Sequence, residues 1–426
     1  MPVRIKTFSI LNYRSCQKTV IQPNENLSIL IGSNGSGKSN ILNAFLLLKK
    51  AMSFRPWTRI ERKEGQSNKC SLKVGFDLDG KQIGYRATIK YFVTERNEEK
   101  VTEAREEWNF FGLTGKDVWI DLPSDLYRRF RGPLHAKGVY RITSRGEIVG
   151  RLGHQRELVY RIPNIASALP KGIPSSSLSA ISDFVQNITY YSASQFTNPA
   201  ECPASFGLEA GNRLQEPYGY NSDHVRFLFD LYSAYKHHRE NFKEFLSAVG
   251  KEGIGLVDTI KFPEVSVPSS QVEVRVGGKL DRKKIKKQLV IPQFVINKTT
   301  LSPSQLSEGT FKTLAVLLYL STDKSRLLLL EEPEVCVHHG LLASIIELIK
   351  SYADQKQIIV STHSDFVLDH VAPENVFLVR NEKQRGTAVS HLPKALSAKG
   401  FAALKDYLSS SGNLGEYWRH AGFKNA

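Results

Sequence analysis

In the first fifty residues, the pattern of apolar and polar positions predicts two strands, a loop and a helix. Residues 3–10 carry apolar side chains at nearly alternate positions, which is typical of a strand with one buried face. Residues 26–31 are rich in Leu and Ile, as expected of a strand buried on both faces. Residues 40–50 then place apolar side chains at helical spacing. A glycine-rich loop separates this second strand from the helix.

The middle of the chain is first β-rich and then arginine-rich. Residues 71–111 contain two alternating runs on either side of Asp79-Gly80, and this arrangement predicts a β-hairpin. Residues 126–161 carry nine basic against two acidic residues, and the Pro and Ser content of residues 163–177 is typical of a linker. Further on, the pattern predicts helices at residues 222–238 and 241–249, and strands up to residue 296 with a basic turn at 279–287.

The last third of the chain alternates helices and strands. Helices are predicted at residues 309–321, 341–352 and 365–369, and strands at residues 326–330, 357–361 and 375–379. This alternation is typical of βαβ units, so we expect a parallel sheet with helices on both faces. No heptad pattern persists along the chain, which excludes a long coiled-coil arm.

Composition adds a preference for anionic partners. The 426 residues include 41% hydrophobic and 23% charged residues, an ordinary globular mixture that excludes collagen-like and disordered chains. The 58 basic and 42 acidic residues give a net charge of +16, and a basic chain favours nucleic acid, anionic lipid or nucleotide as partner. Residues 1–60 (nine basic, one acidic) and 126–161 account for most of it. For residues 126–161, a solvated basic face and a DNA or partner site both remain open.

The lack of a readable targeting signal and the wide spacing of the cysteines predict a cytoplasmic protein without a structural metal. The N-terminus lacks the apolar core of a signal peptide, and no apolar run approaches the ~18 residues of a membrane span. The four cysteines are far apart and form no C-x-x-C pair, so we expect reduced thiols that are mostly buried. We therefore expect no membrane partner.

The glycine-rich loop matches a phosphate-binding pattern. Residues 32–39 read Gly-Ser-Asn-Gly-Ser-Gly-Lys-Ser, which fits G-x-x-x-x-G-K-[ST]. In such a loop, backbone N–H groups and a helix N-terminus converge on phosphate, the lysine reaches the β- and γ-phosphates, and the last hydroxyl serves Mg²⁺. A flexible Gly/Ser loop is the alternative, which the flanking strand and helix disfavour. The predicted nucleotide contacts are Gly32, Ser33, Asn34, Gly35, Ser36, Gly37, Lys38, Ser39 and Asn40.

An acidic pair follows the predicted strand of four leucines. Glu331 is placed to hold the Mg²⁺ shell, and Glu332 is placed to orient and deprotonate the attacking water. Two surface glutamates after a core strand are the alternative, and this alternative weakens once the phosphate loop is present.

Two further segments define the type of ATPase. Leu306-Ser307-Glu308-Gly309-Thr310 opens a predicted helix and offers a hydroxyl and a helix N-terminus to an anion. Ser361-Thr362-His363-Ser364 follows an apolar strand, which places His363 where it could contact a γ-phosphate. Taken alone, the first segment is also an ordinary helix cap and the second an ordinary strand end.

In this order the four segments resemble the head of the ATP-binding cassette (ABC) proteins: Walker A, signature, Walker B and switch histidine. More narrowly, the chain resembles the RecF, SMC and OLD group of ATPases, over residues 3–50 and 299–379. Asn12-Tyr13-Arg14-Ser15 is similar to the segment of this group in which an arginine approaches the nucleotide. A solvated loop arginine is the alternative for Arg14.

The chain departs from the family pattern at three points. Glu331 stands where most members have Asp, although the OLD-like branch has a similar Glu-Glu-Pro-Glu run. The turn after Glu334 reads Val337-His338-His339 rather than ending in His-Pro. The glutamine of the Q-loop, a further metal contact in this family, is assigned to Gln195 because it follows a strand-like segment.

The resemblance implies an α/β P-loop NTPase of the ABC-ATPase head type. We expect a mixed sheet with flanking helices, an antiparallel β lobe and an inserted α+β subdomain. The predicted domains are an N-terminal ATPase lobe at residues 1–120, an inserted subdomain at 121–296 and a C-terminal ATPase lobe at 297–426.

The resemblance also implies ATP and Mg²⁺ as cofactors and a head-to-tail dimer, or a higher oligomer, with ATP between protomers. Lys38 and Ser39 of one protomer would hold the nucleotide, while Ser307 and Gly309 of the other would close over it.

No nuclease motif is readable, since the one Asp-x-Asp, Asp77-Leu78-Asp79, falls on the predicted hairpin turn.

Three functions follow from the resemblance. We favour the sensor ATPase of an anti-phage defence complex, similar to the stand-alone ATPases of Septu and PARIS, with a Toprim- or HNH-type nuclease as a separate chain. The alternative is a RecF-like DNA repair clamp, for which nucleic acid is the partner. A transporter cassette is disfavoured by the long insertion and by the basic excess.

Overall fold

A computed structural model gives the fold of the chain. It describes residues 3–53, 67–94, 98–114, 119–120, 138–142, 148–152, 156–160, 175–209, 213–214, 222–274, 280–322, 325–335, 337, 339–383, 385–410 and 412–420.

In the part of the chain that the structure describes, runs of consecutive strands are separated by helices. The strands of the first half are β1 (Val3–Tyr13), β2 (Cys16–Ile21), β3 (Leu27–Ile31), β4 (Asn68–Leu78), β5 (Lys81–Val93), β6 (Glu99–Asn109), β7 (Trp119–Ile120), β8 (Gly138–Ile142), β9 (Ile148–Leu152), β10 (Arg156–Tyr160) and β11 (Thr189–Ser192). Those of the second half are β12 (Phe206–Glu209), β13 (Arg213–Leu214), β14 (Thr259–Lys261), β15 (Glu264–Val274), β16 (Leu280–Val290), β17 (Gln293–Ile296), β18 (Thr299–Leu301), β19 (Leu327–Glu331), β20 (Gln357–Thr362), β21 (Val376–Glu382) and β22 (Gly386–His391). The helices are α1 (Lys38–Ser53), α2 (Phe111–Thr114), α3 (Ser175–Gln186), α4 (Ser222–His237), α5 (Arg239–Val249), α6 (Glu308–Thr322), α7 (His339–Ala353), α8 (Asp365–Asp369), α9 (Leu392–Ala395), α10 (Ala398–Ser410) and α11 (Leu414–Arg419).

The chain divides into two compact units. Unit 1 comprises Met1–Tyr190, Lys324–Glu331 and Ala353–Ala426, and unit 2 comprises Tyr191–Asp323 and Glu332–Tyr352. The three predicted domains have other boundaries, and that division stays a prediction. In the part of the chain that the structure describes, no helix is long and apolar enough to cross a membrane.

Unit 1 contains a mixed sheet in the order β11-β19-β20-β3-β21-β22. The strands β19, β20, β3 and β21 run parallel, and β22 pairs antiparallel with β21. All residues of β3 and β20 are buried, which explains their continuous runs of apolar residues. The parallel sheet predicted from the βαβ pattern is therefore confirmed for four strands. The prediction missed the antiparallel strand β22.

A second sheet of unit 1 is antiparallel, in the order β2-β1-β4-β5-β6-β7. The predicted hairpin is confirmed, with a turn in which Asp79 and Gly80 both have positive φ and the Gly80 N–H donates to the Asp77 carboxylate at 2.8 Å. The Asp-x-Asp segment thus ends strand β4 and enters the hairpin turn at Asp79, as expected. Helix α1 packs on this sheet, and the ring of its Phe45 lies 4.3 Å from that of Phe8.

Buried Gln357 connects main chains of unit 1 that the sequence pattern does not link. Its side-chain oxygen accepts from the Ile5 N–H at 3.1 Å, and its amide nitrogen donates to the carbonyls of Ile5 at 2.9 Å and Asn24 at 2.7 Å. The side chain therefore completes hydrogen bonds between β20 and β1, much as a neighbouring strand would.

A small antiparallel sheet, β10-β9-β8, forms from the arginine-rich segment of unit 1. Residues 126–137, 143–147, 153–155 and 161 of that segment lie outside the described residues. The choice between a solvated basic face and a partner site stays open.

Unit 2 contains two antiparallel sheets, β13-β12-β16-β15 and β14-β17-β18. The predicted basic turn at 279–287 is wrong, because residues 280–287 belong to β16 and pair in register with β15. Its helices α4, α5 and α6 correspond to predicted helices within two residues at each end. An aromatic cluster packs α4 and α6 against the 3-10 helix Ala193–Phe196, with Phe196, Phe227 and Phe311 in mutual ring contact. The predicted burial of cysteines is confirmed for Cys16, Cys70 and Cys202, while Cys336 lies outside the described residues.

Candidate functional site: a phosphate-binding loop at the end of a parallel sheet

The phosphate-binding loop lies at the carboxyl edge of the mixed sheet. It follows β3 directly and ends in α1, whose first hydrogen bond runs from the Ile41 N–H to the Gly37 carbonyl at 3.1 Å. Within the loop, the Ser36 N–H donates to the Ser33 carbonyl at 3.1 Å. The strand, loop and helix predicted from the sequence are therefore confirmed, and the N-terminus of α1 faces the loop.

Two of the loop glycines are required by their surroundings. A Cβ atom on Gly32 would lie 2.2 Å from the Val379 carbonyl oxygen, and one on Gly37 would lie 2.0 Å from Thr387 Oγ1. Gly37 also has φ +103°, a conformation that favours glycine. Gly35 has φ +77° but lies in open space. The backbone of the loop can therefore approach a ligand and its neighbours more closely than any side chain would allow.

Lys38 is held inside the loop. Its side chain is 5% exposed, and Nζ donates to the carbonyls of Gly32 at 2.8 Å and Ser33 at 3.3 Å. A buried ammonium group needs anionic or carbonyl partners. The lysine therefore places a positive charge against the main chain of the loop itself.

A buried hydroxyl in the loop fits an anionic ligand. Ser36 Oγ is buried and has no hydrogen-bond partner, which is unusual for a polar atom inside a protein. Ser39, by contrast, is exposed on the first turn of α1, where its hydroxyl is available as an oxygen ligand. The donor set and the glycine cradle thus fit a nucleotide phosphate with its magnesium ion.

A hydroxyl network supports the loop from behind. Asn40 Nδ2 donates to Ser15 Oγ at 2.6 Å, and Ser15 Oγ lies 2.7 Å from Thr387 Oγ1, the atom that excludes a side chain at Gly37. The Thr387 N–H donates to the Ser15 carbonyl at 2.8 Å. Sequence reasoning missed Thr387, because nothing in its own neighbourhood marks a contact with the loop.

Arg14 lies beside the loop but is bound by a buried carboxylate. Its guanidinium donates to Asn40 Oδ1 at 3.4 Å and forms a close ion pair with Glu99, which is 8% exposed. Glu99 also accepts from Tyr13 at 2.8 Å and from Lys50 at 3.1 Å. Burial raises the pKa of Glu99. The Tyr13 hydrogen bond and the Arg14 and Lys50 charges together lower it by more, so the pKa of Glu99 lies below its ordinary value. The position of Arg14 is compatible with the predicted nucleotide contact, which stays a prediction.

Glu331 ends strand β19 at the same edge as the loop. Its backbone pairs in register with Ser361, and Thr362 of the same strand pairs with Ile31, the last residue of β3. The hydroxyl of Tyr190 donates a hydrogen bond to Glu331 Oε2. Sequence reasoning missed Tyr190, since its partner is distant in the chain.

Glu332 and His363 continue the chain beyond this edge. Glu332 has φ +47°, an uncommon conformation for a non-glycine residue, and opens a turn closed by the bond from the Val335 N–H to its carbonyl at 3.1 Å. His363 is exposed at the end of β20, where the Ser364 N–H donates to Thr362 Oγ1 at 2.9 Å. Glu332 belongs to unit 2, and Glu331 and His363 belong to unit 1.

The signature segment caps helix α6 in unit 2. Ser307 Oγ accepts from the Thr310 N–H at 3.1 Å and lies 2.8 Å from Thr310 Oγ1, while the Ser307 carbonyl accepts from the Phe311 N–H at 2.9 Å. Ser307 is exposed and Gly309 is partly exposed on the first turn. Ser307 therefore caps the helix, and the same geometry presents a helix N-terminus to solvent. The predicted contact of Ser307 with nucleotide stays a prediction.

Gln195 lies in the 3-10 helix Ala193–Phe196, as expected after β11. Its side-chain oxygen accepts from the Ser192 N–H at 3.2 Å and forms a capping box. Within unit 2, the adjacent Phe196 contacts Phe311, which follows the signature segment. In unit 1, the structure brings together residues 32–40, Arg14, Glu331 and the end of β20.

Comparison with known proteins gives two family matches that include these segments. Residues 4–129 match a model described as "AAA ATPase domain", and residues 172–369 match one described as "AAA domain, putative AbiEii toxin, Type IV TA system". Curated relatives include the DNA replication and repair protein RecF of Pelotomaculum thermopropionicum, 25% identical over 122 residues, and that of Leptospira biflexa, 27% identical over 97 residues.

These matches show that the chain is similar to AAA-type ATPase domains and to part of RecF. The first RecF match covers 29% of this chain and 32% of that protein, so the chain matches about a third of the length of this relative. The Leptospira match covers 23% of this chain and 26% of that protein. Among solved structures, the SMC head domain from Thermotoga maritima is 15% identical with a TM-score of 0.43, covering 91% of this chain and 98% of that chain.

Proposed function

We propose that the protein binds and hydrolyses ATP and switches conformation with its nucleotide state. The observation that carries this proposal is the phosphate-binding loop, in which buried Lys38, the unpartnered Ser36 hydroxyl and the Gly32 and Gly37 cradle converge at the carboxyl edge of a parallel sheet. Nucleotides bind at this edge in open α/β sheets.

The residues of the site take distinct roles in hydrolysis. Lys38 would leave the loop carbonyls for the β- and γ-phosphates, while the backbone N–H groups of residues 33–39 would hold the phosphate oxygens. Ser39 and Glu331 would hold Mg²⁺, which neutralises charge on the phosphates when bound. Glu332 would take the proton of the attacking water, and His363 would contact the γ-phosphate.

Nucleotide would be enclosed by two copies of the chain. Ser307 and Gly309 present an exposed helix N-terminus that would bind the γ-phosphate held by a second protomer. ATP would then close the dimer and hydrolysis would open it, which makes the nucleotide state a switch.

Mixing two inactive variants tests this arrangement. Lys38→Ala removes the lysine of the phosphate loop, and Ser307→Asp retains a capping oxygen for α6 while placing a negative charge toward phosphate. Each variant alone should lose hydrolysis. A mixture should regain it, because a mixed dimer contains one site with an intact Lys38 and an intact Ser307 from the other protomer. An inactive mixture of two folded variants would argue against the sandwich dimer.

For the biological role, we propose the sensor ATPase of an anti-phage defence complex with a Toprim- or HNH-type nuclease as a separate effector. The motif order and the match of residues 172–369 to a family description that names a toxin and a type IV TA system support this role. Copurification with the Glu332→Gln variant in the presence of ATP tests it. Recovery of a nuclease from the native host supports the role, and recovery of the ATPase alone contradicts it.

The second candidate is a DNA repair clamp. Sequence similarity to RecF proteins and the net charge of +16 favour it. A clamp should bind gapped DNA by itself, with an affinity that falls steeply as salt rises, because counterions are released from the phosphates. Binding that is weak and unaffected by ATP would exclude this candidate.

A further inference from the structure

Tyr190 contacts the carboxylate that the proposed function assigns to Mg²⁺. Its hydroxyl donates a hydrogen bond to Oε2 of Glu331, and both residues belong to unit 1. The strands that carry them, β11 and β19, are neighbours in the mixed sheet. The Tyr190 ring is partly buried and packs against the hydrophobic core of unit 1, so the hydroxyl is held by a fixed ring.

The backbone of Glu331 is equally fixed. The four leucines before it are all fully buried in β19, and its own Cα pairs in register with Ser361 of β20. The remaining freedom of Glu331 lies in its side-chain torsions. A hydrogen bond at one carboxylate oxygen restricts those torsions and leaves the other oxygen, Oε1, for a ligand.

We propose that Tyr190 is a positioning residue for the metal site: by holding Oε2 of Glu331, it orients Oε1 toward the magnesium ion of bound Mg·ATP. This inference rests on the proposed ATPase function. It assigns to β11 a role in metal binding that is separate from the Gln195 position further along the chain. Partners that orient metal-binding side chains typically change metal affinity when removed.

The next residue offers a matched control. Tyr191 is fully buried, and its hydroxyl donates to the Lys312 carbonyl at 3.1 Å within unit 2. Successive side chains of a strand point to opposite faces, so the two hydroxyls serve different partners. Tyr191→Phe removes a buried tyrosine hydroxyl from the same strand without removing the bond to Glu331.

The test measures binding of a non-hydrolysable ATP analogue by calorimetry over a series of Mg²⁺ concentrations. Tyr190→Phe should raise the Mg²⁺ concentration at half-maximal binding about tenfold, the low end for loss of a group that orients a metal ligand. Its affinity for the analogue without Mg²⁺ should equal that of the wild type. Tyr191→Phe should retain the wild-type Mg²⁺ dependence. In a Glu331→Gln background, Tyr190→Phe should cause no further change.

The outcomes separate this proposal from the function on which it rests. If Tyr190→Phe and Tyr191→Phe have the same Mg²⁺ dependence as the wild type, the positioning role is wrong while the ATPase function stands. If the two single changes at Tyr190 and Glu331 have additive effects, the hydrogen bond does not act through Glu331 and the proposal is also overturned. A wild-type protein without Mg²⁺-dependent nucleotide binding would overturn both proposals.

Discussion

The ammonium group of Lys38 lies 2.8 Å from the carbonyl oxygen of Gly32, inside the loop that is proposed to bind phosphate. The positive charge is therefore already positioned, and nucleotide needs only to replace carbonyl partners with phosphate oxygens. This relationship explains how a lysine can be 5% exposed and still serve a ligand.

Lys38→Ala should abolish detectable ATP binding. Lys38 is proposed to contact two phosphates, and charge-assisted hydrogen bonds contribute about 1.5–3 kcal/mol each, so loss of both lowers the affinity by about 100-fold or more. Fluorescent nucleotide titration measures the change. Lys49→Ala is the control on the same helix, since Lys49 also donates to a main-chain carbonyl, that of Ile188 at 2.9 Å. A similar loss in both variants would point to damage of α1 rather than of the phosphate contact.

The two loop glycines with positive φ should tolerate alanine unequally. Gly35→Ala meets open space and should cost only the backbone strain of about 1–2 kcal/mol. Gly37→Ala adds a contact of 2.0 Å with Thr387 Oγ1, so it should lower the thermal unfolding midpoint much more. Adding Thr387→Ala to Gly37→Ala should recover part of this loss. Equal midpoints for the two glycine variants would contradict the packing of the loop against β22.

Gln357→Leu should destabilise the protein strongly. The change leaves the Ile5 N–H and the carbonyls of Ile5 and Asn24 without their buried partner, at about 1–3 kcal/mol for each group. Chemical denaturation followed by far-UV circular dichroism measures the loss. Gln82→Leu, at an exposed position of β5, should change the transition little. A stable Gln357→Leu variant would mean that the side chain does not connect β20 and β1.

His224 should make the protein acid-sensitive. The residue is fully buried on α4, with its ring 5.2 Å from that of Phe311, and burial lowers its pKa below the ordinary value of 6.5. The Thr197 backbone and the Glu201 and Asp223 charges oppose this shift only in part. Because the unfolded chain then binds the proton more readily, stability should fall as pH drops below 6.5, by up to about 1.4 kcal/mol between pH 7.5 and 5.5.

His224→Leu should flatten this pH dependence, as measured by thermal unfolding midpoints across the same range. His237→Leu removes an exposed histidine from the same helix and should leave the dependence unchanged. If the unfolding midpoint of the His224→Leu variant still falls toward acid pH as in the wild type, other groups cause the pH dependence.

The elements that could be predicted are those that a short run of consecutive residues encodes. The strand, loop and helix around Gly32 and Lys38 follow from periodicity and a motif of consecutive residues, and the parallel strands β19 and β20 follow from their continuous apolar runs. Strands β2 and β22 were missed. Each is six residues long, and each pairs with a strand that precedes it in a hairpin, so their stability comes from pairing rather than from a distinct pattern.

The contacts that position the site could not be predicted. Tyr190 is 141 residues from Glu331, Arg14 is 85 residues from Glu99, and Ser15 is 372 residues from Thr387. Tyr190, Glu99 and Thr387 belong to no sequence motif, because the tertiary fold alone brings them to their partners. The residues proposed to contact nucleotide can therefore be predicted from the sequence, whereas the residues that hold them in place cannot.

Hydrolysis and assembly of the Glu332→Gln variant test the central claim most directly. The amide cannot accept the proton of the attacking water, yet its size and backbone conformation stay close to those of the glutamate. ATP turnover and molar mass by light scattering should be measured on the wild type and the variant, with and without Mg·ATP. The variant should bind ATP, hydrolyse it about 100-fold or more slowly than the wild type, and form a dimer only with ATP. Unchanged turnover, or a monomer at saturating ATP, would contradict the account.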